Sequence, residues 1–283
     1  MAKLTREERR TLPAAPEPLP VAVTDSHCHL DVADELTGLS PADALARARA
    51  VNITRIVQVG CDVASSRWAV ELAAAEPTVV AAVALHPNDA ARLGDALPAH
   101  LAMIEELITG HDRVRAVGET GIDHYRTTDP AGHRLQADSF AAHIAWAKAY
   151  DKTLVVHDRD AHEVLADILD AEGWPERVVM HCFSGDAAFA RRCLDHGAFL
   201  SFPGTVTFPA NTDLQEACRI TPLGSLLTET DAPFLTPAPH RGRPNASYLI
   251  PHTARFIAEL RGADLVEVCT ALGENADRAF GSW

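Results

Sequence analysis

Histidines and carboxylates recur in this 283-residue chain at the ends of short apolar runs. The first group is Asp25-Ser26-His27-Cys28-His29, which follows Val21-Ala22-Val23. Strand side chains alternate faces with a period of two, so His27 and His29 are expected on one side and Ser26 and Cys28 on the other. Two imidazoles placed in this way can hold a divalent metal; the plainer reading is a pair of histidines near a surface turn. Later runs end in the same manner: Leu85-His86-Pro87, Gly118-Glu119-Thr120-Gly121-Ile122-Asp123, His157-Asp158-Arg159-Asp160, His181-Cys182-Phe183-Ser184-Gly185 and Thr228-Glu229-Thr230-Asp231-Ala232-Pro233. Singly, His157 or His181 could be a core histidine, Glu119 a turn cap and Asp231 a turn residue. Taken together they would crowd imidazoles and carboxylates into one place, which is costly to desolvate without a metal.

An alternation of elements must position these groups. Strand-like runs fall at residues 21–24, 53–60, 79–85, 114–118, 153–156, 178–180, 198–202 and 226–228. Helical patterns lie between and after them, at 41–51, 63–75, a stretch ending at 108, 133–150, 160–171, 187–196, 213–220, 248–261 and 264–280. Eight strands alternating with helices predict one α/β domain, a (β/α)8 TIM barrel over residues 21–283, with its site at the C-terminal face. An open doubly wound sheet would carry a Gly-rich phosphate loop after the first strand, and none is present.

Composition narrows the function. With 25 Lys+Arg against 39 Asp+Glu the formal charge is −14, so a phosphate-bearing substrate must be held locally rather than by a basic face. The six cysteines form no CxxC pair and read as reduced, mostly buried thiols. No apolar run approaches the ~20 residues that span a bilayer. Residues 1–20 are charged and then Pro/Ala-rich, without an apolar signal core, and are expected to be a disordered extension; a cytoplasmic location follows as the default.

The five motifs around Asp25–Asp31, Gly118–Asp123, His157–Ala161, His181–Gly185 and Glu229–Leu235 resemble those of the TatD family of metal-dependent deoxyribonucleases, a branch of the amidohydrolase-like barrels. The resemblance implies two divalent cations per chain, with His27, His29 and Asp231 on one, His157 and His181 on the other, and Glu119 bridging them. It further implies DNA as substrate, single-stranded or cut from a 3′ end, with no obligate protein partner and no membrane. Two such ions could share a water and lower its pKa toward neutrality, with Asp231 beside it as general base. Mixed imidazole and carboxylate ligands suit zinc, manganese, iron or nickel, whereas the family is usually regarded as magnesium-dependent.

Other residues are assigned more loosely. Arg159, Arg241 and Arg243 could grip phosphates by forked hydrogen bonds, or Arg241 and Arg243 could belong to a solvated loop. His86 and His124 could touch substrate or only support the site, and Tyr125 could stack a base or pack at the rim. The segment Arg241-Gly242-Arg243-Pro244-Asn245-Ala246-Ser247 lacks the Glu-Pro pair common in the family's Arg-Gly-x-x-Asn-Glu-Pro. The alternative function is hydrolysis of a carboxylic ester or amide on the same barrel, such as D-aminoacyl-tRNA deacylation.

Overall fold

The computed structural model describes Thr5 and residues 8–283. Eight parallel strands run in chain order around one sheet: β1 Val23–Cys28, β2 Ile53–Gly60, β3 Val79–Val83, β4 Val114–Asp123, β5 Thr153–Arg159, β6 Val178–Met180, β7 Phe199–Phe202 and β8 Leu226–Thr228. A bridge between Cys28 and Ala232 brings the first and last strands together, which makes the sheet a (β/α)8 TIM barrel as expected. Several strand boundaries differ from the sequence reading, three of them where the ligand-type residues lie. β1 starts later and runs to Cys28, while β4 and β5 extend to Asp123 and Arg159 and carry ligand-type residues within the strands themselves. An unanticipated helix, Leu30–Thr37, begins directly after His29.

The period-two pattern sorts the strand residues into two layers. Val57, Val59, Val80, Ala82, Ala116, Val155, Val179, Phe199 and Leu227 fill the barrel interior. Their neighbours, such as Ile56, Ala81, Val117, Leu154 and Val156, face outward into the ring of helices. The last helix, Leu265–Phe280, closes the N-terminal end, where Ala276, Ala279 and Phe280 pack on the inner layer. The Thr153 hydroxyl, at the start of β5, donates to the Ala279 carbonyl and marks this end as the floor.

The N-terminal lead-in departs from the disorder expected over residues 1–20. Its first part lies mostly outside the described residues, but residues 11–20 form an extended strap without strand or helix beyond it. A Pro-rich chain leaves its carbonyls open, and the barrel supplies donors to them. Arg243 donates to Thr11 and Leu12, the Tyr248 hydroxyl to Pro13 at 2.7 Å, Arg255 to Pro18 at 2.9 Å and Asn52 to Leu19 at 2.5 Å. Leu19 itself is buried.

Candidate metal centre

The C-terminal ends of the strands surround a cavity of about 890 Å³. The six residues read from sequence as metal ligands meet at its base. His27 Nε2 and His29 Nε2 are 3.3 Å apart, and Glu119 Oε2 lies 3.3 Å from the first and 3.9 Å from the second. Asp231 Oδ1 completes this group, 3.4 Å from His29 Nε2 and 3.8 Å from His27 Nε2. The other oxygen, Glu119 Oε1, faces His157 Nδ1 at 2.6 Å, His181 Nε2 at 3.2 Å and His86 Nε2 at 3.5 Å. One carboxylate therefore divides two sets of imidazoles between its two oxygens.

Local irregularities aim these groups. The β4–β5 register shifts between Val117 and Thr120, so Glu119 turns into the mouth although its parity differs from that of inward-facing Ala116. Gly121 sits at φ +147°, and a Cβ there would lie 2.0 Å from the His157 carbonyl oxygen, so only glycine lets β4 pass this close to the β5 ligand. Asp231 adopts φ +53°, a left-handed conformation that aspartate tolerates better than most residues. It is held by its own N–H donating to the His27 carbonyl at 2.9 Å. Just before it, the buried Asp25 carboxylate accepts from Thr230 N–H at 2.9 Å and from the Thr230 hydroxyl at 2.6 Å, locking β1 to the β8 exit.

Supporting polar groups set which ring nitrogen faces the cluster. The Val59 carbonyl lies 3.2 Å from His29 Nδ1, so that nitrogen carries the proton and Nε2 keeps its lone pair for the cluster. His181 Nδ1 lies 2.8 Å from Glu229 Oε1, which leaves Nε2 in the same role. The Asn88 N–H donates to His86 Nδ1 at 3.1 Å, so the proton of this ring sits on Nε2, toward Glu119. His86 is thereby built as a donor and not as a ligand.

This donor set fits a divalent cation. Two ligand atoms on one ion with bonds of ~2.1 Å lie about 3.0–3.5 Å apart, close to the spacings within each half of the cluster. Lone-pair atoms this close repel unless a proton or a cation lies among them. Titration behaviour carries the same message. Burial disfavours a charge on His157, yet the Asp123 and Glu119 carboxylates outweigh it and hold its pKa at about 9. Burial likewise opposes charge on His181, but Glu229 and Glu119 raise it well above the ordinary histidine value. Glu119 stays ionised despite its burial because His181, His86 and His157 surround it. The pocket demands positive charge.

Several contributors were not read from the sequence. Glu229, fully buried, lies two residues before Asp231, and its parity was the available signal. Asp123 shares the parity of Glu119; its Oδ2 is 3.4 Å from His157 Nε2 and accepts from Asn88 Nδ2 at 2.9 Å. Cys61 places Sγ 3.8 Å from Glu119 Oε2 and 3.9 Å from His29 Nδ1, and nothing in the β2 run pointed to it. Burial pushes its pKa up to about 11, so it stands there as a thiol.

Not all of the sequence-predicted substrate residues reach the cavity. Arg159 and His86 line it. Arg243 spends its donors on the strap carbonyls of Thr11 and Leu12, and Arg241 lies over Phe208, 4.4 Å from the ring centroid. His124 stacks on His133 with centroids 3.8 Å apart. None of these three lines the cavity; Arg92 and Arg126 do.

The model of the family described as TatD related DNase matches residues 24–281. The chain belongs to the TatD family. A TatD protein of Mycobacterium tuberculosis, described as an uncharacterized metal-dependent hydrolase, is 44% identical over 262 residues, covering 92% of this chain and 98% of that one. The YcfH protein of Escherichia coli K12, described in the same terms, is 34% identical, covering 91% and 95%. The crystal structure of the TatD homolog YJJV from E. coli superposes with a TM-score of 0.84 at 27% identity, over 92% of this chain and 98% of that chain. This TatD chain is accordingly a metal-dependent hydrolase, and among its described residues no helix is long and apolar enough to cross a membrane.

Proposed function

We propose that this TatD protein hydrolyses phosphodiester bonds in DNA, acting from the end of an unpaired strand and using two divalent cations. The observation that carries the reading is the division of Glu119: Oε2 faces His27 and His29, Oε1 faces His157 and His181. A carboxylate shared in this way suits a pair of ions, with Asp231 on the first and Glu119 common to both. When bound, the ions supply the positive charge that acidifies a water molecule and neutralises an attacked phosphate. Magnesium, manganese and zinc are all compatible with the mixed donor set.

The chain's own residues supply the rest. Asp231 is held below the usual carboxylate range, since His29, His181 and His27 outweigh the effect of burial, and it accepts the proton of the attacking water. His86 Nε2–H is aimed at the cluster and donates to a non-bridging phosphate oxygen. Arg159, exposed at the end of β5, and Arg126, after β4, hold the flanking phosphate. Asp123 and Glu229 orient His157 and His181 from behind.

The test is turnover of a single-stranded oligonucleotide with magnesium, manganese or zinc, beside a D-aminoacyl ester of tRNA. Cleavage abolished by chelator and by Glu119→Gln is the expected result. Turnover of the ester alone would replace DNA hydrolysis by the acyl-transfer reading.

A further inference from the structure

Two exposed aromatic side chains follow opposite strands of the barrel: Phe234 lines the cavity, and Tyr125 packs its ring against Arg159, which lines it. Tyr125 is 57% exposed and follows β4; Phe234 is 48% exposed and follows β8. In an eight-strand ring ordered β1 to β8 these strands face each other across the barrel; Glu119 lies on β4, and Asp231 precedes Phe234 by three residues. Isolated surface aromatics are ordinary, but these two are held in place. The Arg159 guanidinium lies over the Tyr125 ring, 3.9 Å from its centroid. The His124 N–H donates to the Arg159 carbonyl at 3.0 Å, fixing the two strand ends together. At Phe234 the N–H donates to the Asp231 carbonyl at 2.9 Å, and Asn245 Nδ2 donates to the Phe234 carbonyl at 2.7 Å. Neither ring fills the core, yet the backbone under Phe234 and the ring of Tyr125 are pinned within a few residues of the cluster.

We propose that Phe234 and Tyr125 are stacking platforms for the two nucleobases that flank the scissile phosphate, and that they select an unpaired strand. This rests on the DNA-hydrolase reading and names the feature of the substrate that the mouth recognises. Inside a duplex both faces of each base are covered by its neighbours, so a protein ring reaches a base face only where the strand is single or ends. With a base on each ring, the phosphate between them is presented to the cluster below, and Arg159 adds a cation beside the Tyr125 platform. Base–aromatic stacking is indifferent to base identity, so the selection is for unpaired structure and not for sequence.

The test separates binding from cleavage. A single-stranded oligonucleotide carrying 2-aminopurine, and the same strand with abasic residues, are titrated onto the metal-loaded wild type, Phe234→Ala, Phe234→Trp, Tyr125→Ala and Tyr125→Phe, with fluorescence and cleavage both recorded. Stacking predicts quenching by the wild type and roughly 5- to 100-fold weaker binding and higher KM for each alanine variant. Phe234→Trp and Tyr125→Phe restore both, and the alanine variants match wild type on the abasic strand. Equal losses on normal and abasic strands would overturn the platforms and leave DNA hydrolysis standing, as would alanine variants indistinguishable from wild type. Ring-dependent binding without cleavage would keep the platforms and remove the proposed reaction; an oligonucleotide neither bound nor cut would remove both.

Discussion

The two ends of the barrel are built from the same eight strands and solve opposite problems. At the N-terminal floor, valines and alanines of the inner layer meet Ala276, Ala279 and Phe280, and burial of apolar area dominates, with the Thr153 hydroxyl on the Ala279 carbonyl beside it. At the C-terminal mouth, four imidazoles and two carboxylates crowd together, Asp231 takes a left-handed conformation and the β4–β5 register is broken. A strand can change from core to site within a few residues because adjacent side chains already point different ways. The floor supplies stability that the mouth does not return.

That division can be broken at several points. Glu119→Gln is expected to lower kcat on the true substrate by on the order of 10³-fold or more, while the melting temperature of the metal-free protein moves by only a few degrees. Steady-state kinetics beside a thermal melt would show this, and a collapse of the fold would contradict the separation. Phe280→Ala should do the reverse: a loss of about 3–5 kcal/mol in urea unfolding, with kcat of the folded protein unchanged.

His143 tests the comparison from outside both ends. It is fully buried in the helix Pro130–Ala149, where Nε2 accepts from Leu85 N–H at 3.2 Å and Nδ1 donates to the Ser139 carbonyl at 2.6 Å. Burial lowers its pKa from 6.5 to about 4. The unfolded ring therefore takes a proton below pH 6.5 while the folded ring resists, so this stabilisation is complete above pH 6.5 and is lost as pH falls toward 4. The loss amounts to about 3 kcal/mol. Across that range the urea-unfolding free energy of wild type should fall by about 3 kcal/mol more than that of His143→Gln. A smaller effect is expected at Glu229→Gln: a 10- to 100-fold weaker metal affinity by calorimetric titration, with the barrel intact. Unchanged affinity would make Glu229 part of the fold and not of the mouth.

Much of this was legible in the chain because the signals are local. The alternation of apolar runs and amphipathic stretches named the barrel, and ligand-type residues at run ends named the base of the cavity. Partners that act across the barrel were harder to see. Glu229 and Asp123 carry the correct parity, but their targets, His181 and His157, lie on other strands. Arg243 reads as a phosphate grip on composition alone, yet its nearest acceptors are the strap carbonyls more than two hundred residues earlier in the chain. The strap reads as disordered because it has no periodic apolar face, and it is held by donors that the barrel provides.

By itself the sequence determined the fold class and the ligand-type residues at the run ends, which depend on short-range periodicity and residue chemistry, while the choice of six among them came from the resemblance to the TatD motifs. Only the tertiary structure decided where those side chains point. The register shift turns Glu119 inward, Asn88 sets the proton of His86, and the ring order puts β4 opposite β8. These outcomes depend on strand pairing and on contacts between distant segments, which no local pattern encodes.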